Sequence, residues 1–193
     1  MRKRTFLGFT AAATLCATLG LMAQDTKDAG APTPEMMARM APGPMHKKLE
    51  PLIGKYEMTG KFRMAPEEPW QELKADVERK WILDGRFIEE TVHSDWMGQP
   101  WEGRGVIGYD NVRQQFTMIW FESMSTGTSS STGKLDGTKI VFEGTNSDAM
   151  TGEKDRWSKM VIDLASPQQL GKGYCKDKAG KEFEMMEMSF AKK

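Results

Sequence analysis

The chain has 193 residues, with 27 Lys and Arg against 27 Asp and Glu, two His and two Cys. The balanced charge offers no cationic surface for nucleic acid or an anionic membrane. Histidine is scarce, His46 and His93 alone, whereas a catalytic zinc site usually takes three protein ligands, often His, and a structural one usually uses Cys.

Met1-Arg2-Lys3-Arg4 is a basic n-region, followed by an apolar, small-residue stretch to about Met22 and then Ala23-Gln24-Asp25. That layout predicts a secretory signal peptide over 1–23 and an exported protein, periplasmic or extracellular. The apolar core is short for a membrane span, so no span is expected once the signal is removed. Cleavage near Ala23 is the expectation, although Leu21 suits the site poorly. The alternative, lipidation at Cys16, lacks a small residue at Leu15. Without the signal, 24 Lys and Arg face 27 Asp and Glu, about −3, and Cys175 is the remaining cysteine. No intramolecular disulfide can then form, so the domain depends on its core.

Residues 24–44 are rich in Ala, Pro, Asp and Met without strand alternation and read as a flexible leader, with a short helix through Pro34–Met40. Residues 45–193 form the domain, long enough for one core. His46 to Ile53 suits a short helix with Leu49, Leu52 and Ile53 on its apolar side, stopped by Gly54.

From Lys55 on, strand patterns alternate with turn signals. The expected strands run Lys55–Met64, Gln71–Leu83, Arg86–His93, Trp101–Tyr109, Gln115–Phe121, Lys139–Glu143, Arg156–Leu164, Gln169–Asp177 and Glu182–Phe190. Asp84-Gly85 and Asp136-Gly137 are hairpin signals, and the Ser/Thr/Gly-rich segment through Ser131 is a polar edge strand or a loop. In the last strand Phe183 and Met185 are one step out of phase with Met186, Met188 and Phe190, which a β-bulge would reconcile. The fold class is all-β: a single antiparallel up-and-down barrel of about nine or ten strands, which removes exposed edges, with a short N-terminal helix.

Gly103-Arg104-Gly105-Val106-Ile107-Gly108 spells the dinucleotide fingerprint G-x-G-x-x-G. The mechanism needs a helix opening on the last glycines to hold a pyrophosphate. A turn at Tyr109-Asp110-Asn111-Val112 follows instead, then the sheet-forming run Phe116–Phe121. The glycines therefore read as a bent strand with Trp101, Gly103, Gly105, Ile107 and Tyr109 on one face and Glu102, Arg104 and Val106 on the other.

In order along the chain stand His46-x-x-Leu49-x-x-Leu52-x-Gly54-x-Tyr56, Trp81-Ile82-Leu83-Asp84-Gly85-Arg86-Phe87, Gly98-Gln99-Pro100-Trp101-Glu102-Gly103 and Gly108-Tyr109-Asp110, then Trp120, Gly133 and Gly137. From His46 to the C-terminus this series resembles a bacterial domain-of-unknown-function family, number 1579. The resemblance implies a lipocalin-like (calycin-type) barrel with a cavity and no established activity. Tyr56 stands where related barrels often have Trp.

Other chemistries fit less well. His93 with Glu89 and Asp95 could join a weak metal site, but a surface or lumen histidine is the simpler reading. Haem-binding barrels of the nitrobindin kind place their axial histidine late, and no histidine follows His93. Met36, Met37, Met40 and Met45 with His46 could form a thioether copper(I) site, against an amphipathic leader. Ser123-Met124-Ser125-Thr126-Gly127 lacks the first glycine of a nucleophile elbow. Cys175 reads as a small apolar core residue, and Glu89 and Glu90, adjacent in a strand, face opposite ways.

No catalytic residue, metal site or cofactor is assigned, and an enzyme is not the expectation. The expected function is a binding module for a small apolar or amphipathic ligand in the lumen, with Trp81, His93, Trp101, Tyr109 and Trp120 as lining candidates and Arg104 as a polar anchor if the phase of its strand is shifted. The alternatives are an envelope-associated interaction domain with a packed barrel, or a haem or copper protein. Oligomeric state stays open.

Overall fold

A computed structural model describes residues 31–96, 98–166 and 168–193. The expected signal peptide, with Cys16, lies outside these residues.

Ten strands follow one another: β1 (Gly54–Phe62), β2 (Gln71–Ile82), β3 (Phe87–Trp96), β4 (Gln99–Asp110), β5 (Gln115–Glu122), β6 (Ser129–Asp136), β7 (Lys139–Asn146), β8 (Arg156–Asp163), β9 (Leu170–Lys176) and β10 (Glu182–Lys192). Each pairs antiparallel with the next, and β10 closes on β1, with Met58 opposite Phe190. The up-and-down barrel expected from strand spacing is therefore present. The Ser/Thr/Gly-rich segment divides: residues 123–128 are the loop between β5 and β6, while residues 129–131 open β6, which is paired on both sides by β5 and β7 and is therefore no edge.

Turns sit where the residues permit left-handed backbone. Leu83, Asp84 and Gly85 all have positive φ, so β2 ends one residue earlier than the pattern predicts. Gly98 has φ +79 and its amide donates to Asp95 Oδ1 at 2.7 Å, closing the β3–β4 hairpin so tightly that β4 takes in Pro100. The bulge in β10 falls between Glu184 and Met186. It turns both Met185 and Met186 to the lumen, which strict alternation would forbid.

One barrel end is stoppered. The expected His46–Ile53 helix is split into α2 (Pro44–Lys47) and a 3-10 turn at Glu50–Leu52, because Pro51 cannot donate to an α-helical ladder. Leu49 and Leu52 are fully buried among Ile88, Ile107, Phe116 and Phe142, each contributing about 1.5–3 kcal/mol by burial. The buried His46 caps the plug, its Nδ1 accepting the Gly43 N–H at 3.0 Å. The leader helix α1 (Pro34–Met40) buries no residue. It is tied down by Asn111, whose Nδ2 donates to the carbonyls of Ala41 (2.8 Å) and Arg39 (3.1 Å).

Candidate functional site

Strand parity decides what faces inward. On β4 the inward set is Trp101, Gly103, Gly105, Ile107 and Tyr109, with the glycines under the indoles. A Cβ at Gly103 would lie 2.3 Å from Trp120 Cζ2 and 2.7 Å from Trp101 Cη2; at Gly105 it would lie 3.2 Å from Trp120 Cε3. The glycines of the apparent nucleotide fingerprint thus let two rings lie flat against the wall. Gly108, with the opposite parity, is covered by Phe87.

Between the plug and the opposite end lies a cavity of about 550 Å³. Met58, Phe62, Val92, Trp101, Trp120 and Met188 supply apolar wall, and the loops after β1, β5 and β7 rim it with Met64, Met124 and Met150. The two indoles are 6.1 Å apart at 31°. Trp101 Nε1 donates to Glu122 Oε2 at 2.9 Å, and the same oxygen accepts the Met124 amide at 2.7 Å. That carboxylate holds the ring pair and the rim loop in one arrangement. Beside the mouth, burial pushes the Asp148 carboxyl up, but the Thr151 and Met150 amides and the Arg156 guanidinium together outweigh it and hold it below the usual range.

The floor is polar. Arg79 and Glu90 face each other across β2 and β3 and form an ion pair. Arg79 is 5 % exposed and its guanidinium lies 4.2 Å from the Phe190 ring centre. Its Nη1 donates to Gln169 Oε1 at 3.0 Å; Gln169 Nε2 in turn donates to Tyr56 Oη at 3.0 Å and to the Pro51 carbonyl. Tyr56 Oη donates to the Ile53 carbonyl at 3.0 Å. A continuous chain of hydrogen bonds thus runs from the lumen floor into the plug. Gln169 holds positive φ (38°) to reach it, the sort of strain kept only where the surroundings enforce it.

The six residues expected in the lumen divide three ways. Trp101 and Trp120 line the cavity. Trp81 and Tyr109 face inward but pack at the stoppered end: Trp81 Nε1 donates to Glu50 Oε2 at 2.9 Å, and Tyr109 meets His46 edge-on at 5.9 Å. His93 is exposed, and Arg104 lies on the outer wall beside Glu102 (2.6 Å) and Glu89 (3.9 Å). Their parity puts both opposite the cavity. Nor do the five leader residues weighed for copper form one group. Met36, Met37 and Met40 are exposed on α1, Met45 packs on the core, and His46 Nδ1 is occupied by Gly43.

Arg79, Glu90 and Gln169 escaped the sequence reading. Arg79 is in phase with Ala75 and Val77, and Glu90 with Ile88 and Val92, so a charge on the apolar face was the available signal. Gln169 comes from a loop and carried none.

A family model described as a protein of unknown function, DUF1579, matches residues 41–192. No curated protein matches the chain. Among solved structures, the crystal structure of Rv2717c from M. tuberculosis is similar at a TM-score of 0.58 and 15 % identity, over 79 % of this chain and 99 % of that one. At that identity the likeness shows a shared fold alone.

Proposed function

The chain belongs to DUF1579, a family of proteins of unknown function, and from that premise we propose that the barrel binds a small amphipathic molecule. The carrying observation is the cavity of about 550 Å³ with largely apolar walls, a polar patch at its floor and the Asp148–Arg156 pair beside its mouth. Its volume falls within the roughly 300–1,000 Å³ of ligand pockets, which are mostly apolar with a few placed polar groups. The apolar body of the ligand lies against Trp101, Trp120 and Met58. Its polar end reaches Arg79, Glu90 and Gln169. Because that ion pair is already neutral overall, an uncharged hydroxyl, carbonyl or amide suits it better than a free carboxylate, which Glu90 would repel.

Titration with N-phenyl-1-naphthylamine, followed by quenching of tryptophan emission, tests this. One probe per chain is expected. Ser94→Trp, which places an indole across the lumen beside Trp101, is expected to abolish binding without lowering the melting temperature much. Unchanged binding in that variant would overturn the proposal.

Export belongs to the same proposal, supported by the basic n-region and the apolar stretch behind it. Mass spectrometry of protein from its own host is expected to find a start near Gln24. A chain retaining Met1 would contradict export by this route.

A further inference from the structure

Sulfur is concentrated on one side of the lumen. Strands β8, β9 and β10 turn Met160, Cys175, Met185, Met186 and Met188 into the cavity. They gather around two glycines that supply no side chain of their own. A methyl at Gly173 would lie 3.2 Å from Met186 Cβ, 3.6 Å from Met160 Cε and 3.8 Å from Met185 Cγ; one at Gly171 would lie 3.0 Å from Met188 Cε. The Cys175 thiol points directly at Met185 Sδ. The β10 bulge makes this density possible by facing two consecutive methionines inward.

We propose that this cluster is a binding site for one copper(I) ion, held by the Cys175 thiolate and the thioethers of Met185 and its neighbours. Three features select that chemistry. Thiolate and thioether are soft donors that favour Cu(I). Two nearby carboxylates are engaged elsewhere: Glu184 with Lys172 at 2.9 Å, and Asp148 with Arg156 and its own loop amides. One thiolate also neutralises one monovalent cation, whereas a divalent ion would leave net charge in an apolar lumen. In the metal-free protein the Cys175 thiol carries its proton and meets Met185 through it. Binding breaks the S–H bond, releases that proton to solvent and forms the Cu–S bond, with no change of oxidation state.

The site is distinct from the leader methionines Met36, Met37 and Met40. It also does not depend on the apolar-ligand reading, since the naphthylamine titration uses metal-free protein.

The purified full chain, reduced and anaerobic, is titrated with Cu(I) supplied as its bicinchoninate complex. One ion per chain is expected to transfer, with X-ray absorption showing a shell of sulfur alone. Cys175→Ser and Met185→Leu are each expected to lower the affinity at least tenfold; the triple Met36→Leu, Met37→Leu, Met40→Leu variant is expected to bind as the parent does. The proposal is overturned by no transfer, by nitrogen or oxygen dominating the first shell, or by undiminished affinity in Met185→Leu. If Cys175→Ser fails to fold, the absorption spectrum of the parent and the near-isosteric Met185→Leu decide.

Discussion

Trp120 rests directly on Gly103, so closely that a single added methyl would sit 2.3 Å from its ring. The indole cannot lie there over any other residue without moving. Trp101 shares the same glycine, so its absent side chain fixes the aromatic wall of the cavity.

Gly103→Ala should therefore cost about 1–3 kcal/mol, the usual penalty of overpacking. Gly105→Ala, whose methyl meets Trp120 at 3.2 Å, should cost less. Urea unfolding of both variants, with tryptophan emission as probe, checks the order. Equal losses would mean that the ring contact is not what the glycines serve.

Arg79 and Glu90 illustrate a different asymmetry. Arg79→Met leaves a largely buried carboxylate at the lumen floor without its counter-charge and is expected to cost up to about 3 kcal/mol. Replacing both, as Arg79→Met with Glu90→Met, should recover most of that loss. A double-mutant cycle by urea unfolding measures the coupling; additive losses would contradict a desolvated pair.

The plug carries a pH dependence. Burial first, and then the charge of Arg86, hold the His46 pKa below its ordinary 6.5. Protonation would also remove the Nδ1 lone pair that accepts the Gly43 N–H. The folded state binds this proton more weakly than the unfolded chain. The contribution is intact above pH 6.5 and is lost as pH falls from 6.5 towards the lowered folded value. Unfolding at pH 7.5, 6.5 and 5.5 should show that decline, and His46→Gln should flatten it. An identical slope in the variant would assign the effect to other groups.

Asn111 predicts a local effect. Asn111→Ala removes the donor that ties the end of α1 to the β4–β5 hairpin, at about 1 kcal/mol. Hydrogen exchange should rise at residues 36–41 and stay unchanged in the strands. Unaltered exchange there would show that α1 is held otherwise.

Much of this architecture was legible in the residues. The Asp136-Gly137 turn, the parity of β4 and the phase break at Met185-Met186 all follow from local conformational preference, and each is present. The same parity already set Arg104 apart from Trp101, and it places Arg104 on the outer wall. Trp81 shows where the signal ends. It alternates correctly and faces inward, yet it meets Glu50 rather than the cavity, because parity tells inside from outside but not one end of a barrel from the other.

The sequence by itself determined the all-β class, the run of strands and the faces of most of them, since those depend on neighbours two to four residues apart. Only the tertiary structure decided that the plug takes one end of the barrel and leaves about 550 Å³ below it. It alone brought Gln169 to Arg79 across ninety residues of chain, and gathered the sulfurs of three strands around Gly173. Those features depend on distances between strands that closure alone sets.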